Sequence, residues 1–143
     1  MNTILVALDL EEDNSRVIST VITMAQSLKA HVWIMHVAAP EPDFVGYEPG
    51  PQYIRDSRAS ELRSELHEIQ SIVDNLKKEN IKSDGLLVQG ATVDIIMEES
   101  KKLNTEMLVI GHKEHTAFHK IFFGGNTNGI LKYSEIPVLV IPL

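Results

Sequence analysis

The sequence predicts an α/β fold: one domain built on a five-stranded parallel sheet with helices on both faces. Three observations lead there. Short apolar runs of strand length recur at Ile4–Leu8, His31–Val37, Gly85–Gln89, Met107–Ile110 and Val138–Ile141. These runs do not alternate apolar with polar residues, as strands with one wet face do; near-continuous apolar character marks strands buried on both sides. Longer stretches of helical periodicity fill the intervals, giving the order βαβαβαβαβ, and parallel neighbours need such crossovers.

Each element has its own local signature. Ile4-Leu5-Val6-Ala7-Leu8 is an apolar run closed by Asp9. Asp13 or Asn14 then caps a helix with apolar positions at Val17, Val21, Ala25 and Leu28, flanked by Ile18 and Ile22. The second strand starts at His31 and stops near Pro40. From Pro40 to Pro51 the chain carries Pro42, Gly46, Pro49 and Gly50, with Phe44 and Tyr47 among them, the longest breaker-rich stretch present. The Tyr47–Tyr53 region serves either as a lid over a site or as a partner surface. The next helix is the clearest: Leu62, Leu66, Ile69, Val73 and Leu76 step by 4, 3, 4 and 3 and build one core stripe. Lys77 and Lys78 at its end suit the negative pole of the helix dipole. Gly85–Gln89 follows as the third strand, and Gly90 opens a short helix with Thr92 placed to cap it. Met107–Ile110 is the fourth strand, ending at Gly111. Gly124–Tyr133 forms the last helix, and Val138–Ile141 the last strand, between Pro137 and Pro142.

Composition removes several function classes. The formal net charge of −7 argues against general nucleic-acid binding, which leans on basic patches. The chain has no cysteine, so disulfides, zinc-thiolate sites and thiol catalysis are excluded. No run approaches the roughly 18 apolar residues of a membrane span. Met1-Asn2-Thr3 carries no basic charge, and Ile4–Leu8 is too short for the core of a signal peptide, so a cytoplasmic location is expected.

In folds of this class, ligands bind outside the carboxyl ends of the strands, where strand order reverses. That directs attention to Asp9, Val37, Gly90 and Gly111. It also singles out Gly124-Gly125-Asn126-Thr127-Asn128-Gly129, whose small and amide side chains precede a helix. Backbone N–H groups there can approach an anion, with the helix dipole favouring negative charge. Asn126, Thr127 and Asn128 serve equally well as plain capping residues. His112, His115 and His119 have spacing compatible with metal ligation. Without an acid-rich partner set, they read better, with Lys113 and Lys120, as positive potential for phosphates. His36 reads as a hydrogen-bonded structural histidine near the crevice.

Absent motifs narrow the field further. There is no Gly-x-Gly-x-x-Gly, no Gly-Lys-Ser/Thr after the glycines, and no Gly-x-Ser-x-Gly elbow. Leu8-Asp9-Leu10-Glu11 stands where pyrophosphate-releasing ligases carry a serine- and glycine-rich loop. No nucleophile–base pair is placed together by spacing, which leaves slow nucleotide hydrolysis as the weakest functional reading.

What remains resembles the universal stress protein family over essentially the whole chain. Ile4-Leu5-Val6-Ala7-Leu8-Asp9 is similar to its opening strand and aspartate, and Met35-His36-Val37 to the end of its second strand. Gly90-Ala91 looks like its glycine before the third helix, and Ile136-Pro137-Val138-Leu139-Val140-Ile141 like its closing strand. Nucleotide-binding members carry Gly-x2-Gly-x9-Gly-Ser/Thr with a further hydroxyl residue two positions on. Gly111 and Gly124 fall on the first and third glycines, and Thr127 on the later hydroxyl. The resemblance implies a Rossmann-like sheet of order 3-2-1-4-5. It also implies an adenine nucleotide, AMP or ATP with or without magnesium or manganese, held by Ala7, Leu8, Asp9, Val37, Gly90, Ile110, Gly111, His112, His115, Gly124, Gly125, Asn126 and Thr127. Asp9 and Val37 would flank adenine and ribose. Pairing of Val138, Leu139, Val140 and Ile141 across a two-fold axis is implied as well, and a homodimer acting through protein contacts alone is the rival reading.

Two positions depart from the family pattern. Glu114 replaces the second glycine and Gly125 replaces the first hydroxyl residue. A glutamate forced into a left-handed backbone costs roughly 1–2 kcal/mol. A carboxylate about 4 Å from a phosphate costs up to about 4 kcal/mol at an effective dielectric near 20. With about tenfold in affinity per 1.4 kcal/mol, the expectation is that AMP or ADP is tolerated better than ATP. Gly125 is the milder change, because it keeps its N–H and Asn126 brings an amide.

Overall fold

The computed structural model describes residues 2–39, 52–113 and 125–143, with side chains for all of these except 52–55 and 125–126. The elements are β1 (Thr3–Ala7), α1 (Ser15–Leu28), β2 (His31–Ala38), α2 (Gln52–Lys78), β3 (Ser83–Gln89), α3 (Thr92–Lys102), β4 (Met107–His112), α4 (Gly125–Tyr133) and β5 (Val138–Pro142). All strand pairs are parallel, and the sheet order is β3-β2-β1-β4-β5.

The uniform apolarity of the strands follows from two cores, one on each face of the sheet. Ile4 and Val6 of β1 point to one face, with Val32 and Ile34 of β2. There they meet Val17, Val21 and Ala25 of α1 and Ile69, Val73 and Leu76 of α2. Leu5, Met35, Leu108 and Ile110 point the other way, against Ile96 of α3 and Ile130 of α4. Period-two side-chain direction thus serves both cores at once. Among the described residues, no helix is long and apolar enough to cross a membrane.

Several local expectations need correction. β1 runs Thr3–Ala7 rather than Ile4–Leu8, although Leu8 still donates its N–H to the Met35 carbonyl at 2.9 Å. β3 begins two residues earlier, at Ser83. Asn14 does occupy the N-cap of α1, but its amide donates to the carbonyls of Asp9 and Glu12 instead of accepting from the helix. Asp13 Oδ1 accepts the Ser15 N–H at 3.0 Å. Thr92 is the first residue of α3 and does not cap it; Ala91 holds that position with no side-chain cap. Leu28 and Leu66 do not belong to the core, being 40% and 51% exposed. The α2 stripe holds only from Ile69 onward, because the preceding turns of that helix flank a cleft instead of the sheet.

Candidate functional site

A cleft of about 980 Å³ opens at the carboxyl ends of the strands. β1 pairs with β2 on one side and β4 on the other, so strand order reverses here, as the crevice rule requires. Ala7, Leu8 and Asp9 enter from β1, His36 and Val37 from β2, and Ile110 and Gly111 from β4. Thr92, Ile96, Thr127 and Ile130 come from α3 and α4, while Ser57 to Glu68 of α2 form an opposing polar wall.

Asp9 sits in a tight turn just beyond β1. Its Oδ1 accepts the Glu11 N–H at 2.9 Å, and its carbonyl accepts from Glu12 N–H at 3.2 Å and from the Asn14 amide at 2.7 Å. Asp9 itself lines the cleft. Burial pushes the Asp9 carboxyl above its ordinary value, opposed mainly by the Glu11 N–H bond. The Glu11 and Glu12 charges add to the rise, and His36 counters it.

At the other side, Thr127 lies in the first turn of α4 and is buried. Its hydroxyl stands 3.2 Å from His112 Nδ1, so His112 supports Thr127 without itself lining the cleft. Gly111 leaves room for the Leu143 side chain, which also reaches the cleft. Gly90 adopts φ of +149°, donates its N–H to the Ala38 carbonyl at 3.1 Å, and packs on Ile95; it does not line the cleft. Gly125 and Asn126 open α4. Glu114, His115, His119, Lys120 and Gly124 lie outside the described residues, as does the Pro40–Pro51 loop.

Two contacts brace the rim of this crevice. Lys113 Nζ lies 3.3 Å from Glu12 Oε2, tying the exit of β4 to the turn after β1. Arg16 of α1 donates to the Pro142 carbonyl at 3.1 Å. Among the described residues, no three His, Cys, Asp or Glu side chains group as metal ligands would.

Sequence reasoning missed the α2 wall. Arg58 donates to Glu61 Oε2 at 2.8 Å and to the Ala39 carbonyl, and Glu65 faces His36. The signal was present: Ser57, Glu61, Ser64 and Glu68 repeat at helical spacing, a polar stripe beside the apolar one. His36 does form the expected hydrogen bond, with Nδ1 at 2.9 Å from the Leu8 carbonyl, yet it also lines the cleft.

A five-stranded parallel sheet with a mixed polar and apolar crevice at its switch point defines the doubly wound α/β class. The chain belongs to the universal stress protein family, whose model matches residues 1–142. It is similar to a universal stress protein A-like protein of Arabidopsis thaliana, 25% identical over 116 residues, covering 77% of this chain and 65% of that protein. A universal stress protein of Helicobacter pylori is 26% identical over 120 residues, 83% of this chain and 84% of that one. Among solved structures, a universal stress protein of Lactobacillus plantarum superposes with a TM-score of 0.77 at 16% identity, covering 98% and 97% of the two chains. A family member from Arabidopsis thaliana with AMP bound gives 0.69 at 18% identity, covering 99% and 92%. One from Archaeoglobus fulgidus in complex with dAMP gives 0.64 at 19%, covering 99% and 98%. These structural likenesses establish the Rossmann-like fold.

Proposed function

We propose that this chain is a cytoplasmic, single-domain stress-response module that binds an adenine nucleotide in the cleft between β1 and β4. The observation that carries the reading is the convergence of Asp9, Gly111 and Thr127 on one crevice with an apolar floor of Ala7, Val37 and Ile110. An apolar floor suits a flat base, an acid at a strand end accepts from ribose hydroxyls or an amino group, and a hydroxyl at a helix N-terminus suits a phosphate. Relatives of the same fold that hold AMP and dAMP support the choice of adenine. A magnesium or manganese ion would be held chiefly by the phosphates, given the absence of a grouped ligand set among the described residues.

Denaturing the purified protein and identifying released small molecules tests the reading directly. AMP and ATP affinities measured side by side test the role of Glu114: AMP or ADP should bind at least as tightly as ATP. Tighter ATP binding without added cation would remove that preference.

A homodimer acting through protein contacts is the second reading. It is favoured by β5, which among the described residues pairs only with β4 and carries the half-buried Val138, Leu139 and Val140 at the edge of the sheet. Such an edge calls for pairing or cover.

A further inference from the structure

Leu8 lies beyond the last residue of β1, yet both of its backbone polar groups are bonded to β2. Its N–H donates to the Met35 carbonyl at 2.9 Å, which carries the strand pairing one step further. Its carbonyl has a side-chain partner instead, with His36 Nδ1 2.9 Å away. A carbonyl only accepts, so Nδ1 carries the hydrogen. Leu8 is 4% exposed, and a buried backbone acceptor that loses its donor is costly.

The His36 ring is itself confined. Its side chain is 14% exposed, and Nε2 faces Glu65 Oε2 of α2 across 3.7 Å. His36 borders the cleft, but Nδ1 is committed to Leu8 and Nε2 is turned to α2. Neither nitrogen is directed to an occupant.

Asp9 is the next residue in the chain. On its downstream side the turn is fixed by its own bonds, from Glu11 N–H to Oδ1 and from Glu12 N–H and the Asn14 amide to its carbonyl. On its upstream side the anchor is the Leu8 carbonyl, and His36 holds that anchor. Burial raises the Asp9 carboxyl and His36 counters the rise, so the same ring also favours a charged acceptor.

We propose that His36 is a positioning residue: through the Leu8 carbonyl it sets where the Asp9 carboxylate stands in the cleft, with neither ring nitrogen bonding the ligand. The inference rests on the nucleotide reading above, in which Asp9 accepts a hydrogen bond from the ligand. A displacement of about 1 Å in such a group can cost up to about a hundredfold.

Calorimetric titration of the full chain with AMP tests this. His36→Leu keeps an apolar body in the wall but has no donor, and should bind AMP about tenfold less tightly than the wild type. His36→Asn brings an amide N–H close to the place of Nδ1 and should recover most of that loss. A merely structural role would subtract the same amount in any background, whereas a role exerted through Asp9 disappears with its carboxylate. In Asp9→Ala, the added His36→Leu should therefore cost less than about twofold. The wild type carries its own readout if a variant fails to fold: the ring nitrogen shifts of His36 by NMR should place a hydrogen on Nδ1 with and without AMP. Unchanged AMP affinity in His36→Leu, an equal loss in His36→Asn or in both backgrounds, or a wild-type ring with its hydrogen on Nε2 alone overturns the inference and leaves nucleotide binding standing. A wild type that binds no AMP overturns it together with the nucleotide reading.

Discussion

Leu143 fills the space that a side chain at Gly111 would need: a Cβ there would stand 2.7 Å from Leu143 Cδ2 and 3.1 Å from its Cγ. Leu143 is pinned by its own N–H, 2.8 Å from the His112 carbonyl. The first glycine of the phosphate pattern therefore has a packing duty in addition to any approach to a ligand. Gly111→Ala should cost about 1–2 kcal/mol through overpacking. Adding Leu143→Ala should recover part of that loss, since the two sites share one volume. Urea denaturation midpoints of the single and double variants measure the coupling; strictly additive losses would refute the packing account.

Gly85 provides a harsher version of the same constraint. A Cβ there would lie 2.5 Å from Ile69 Cγ2 and 3.4 Å from Val73 Cγ2. Ile69 and Val73 are each 1% exposed, and both are β-branched and stiff at χ1. Gly85→Ala should cost about 2–3 kcal/mol, more than Gly111→Ala, where the obstacle is the end of a flexible leucine. A smaller midpoint shift for Gly85→Ala would invert this ranking and with it the explanation.

Asp9 makes stability depend on pH in an unusual direction for an acid. Burial raises its carboxyl above the ordinary value of 3.8. The folded state then holds the proton more tightly than the unfolded chain, so the contribution is fully present below 3.8 and is lost as pH rises through the raised value. At neutral pH the buried charge works against folding, with Glu11 and Glu12 adding repulsion. Asp9→Asn keeps an oxygen for the Glu11 N–H and removes the charge. Its denaturation midpoint at pH 7 should exceed that of the wild type, with the gap closing toward pH 3.8. A gap that widened on acidification would contradict the sign. The same variant should bind nucleotide less well, a trade between stability and function.

The α2 stripe separates legible from illegible information in the chain. Leu66 and Leu76 look equivalent in sequence, ten positions apart on one apolar stripe, yet Leu66 is 51% exposed and Leu76 is 0% exposed. Leu76→Ala should cost about 2–5 kcal/mol. Leu66→Ala should stay within about 0.5 kcal/mol, as surface substitutions generally do. Equal effects of the two would mean that the upper half of α2 is covered in solution.

Strand identity was legible because burial on both faces leaves an apolar record in runs such as Ile4–Leu8 and Met107–Ile110, whereas the sheet order came from the family resemblance. Helix caps were not, because a side chain such as Asn14 has several carbonyls and amides within reach, and only tertiary placement decides among them. The crevice was half legible. Asp9, Val37 and Gly111 follow from the position of strand ends, a topological rule. The polar stripe of α2 is a local pattern, but that it and His36 face the cleft depends on where α2 lies relative to β2, which is a tertiary fact. Gly90 and His112 sit at strand ends too; Gly90 lies against Ile95, and His112 Nδ1 is 3.2 Å from the Thr127 hydroxyl.

The open edge of β5 gives the last test. Val138 and Val140 pack at the margin of the core beneath α3 and α4, and among the described residues the strand's outer edge has no sheet neighbour. If a second copy covers this edge, removing the apolar surface should release monomers. Val140→Asp should elute as a monomer from a sizing column, with circular dichroism checking that it stays folded. The wild type offers an independent readout, since the melting temperature of a dimer rises with protein concentration. A wild type whose melting temperature ignores concentration, or a Val140→Asp variant that elutes with the wild type as a dimer, removes β5 as the interface. Either result would leave its half-buried valines to be explained by the core alone.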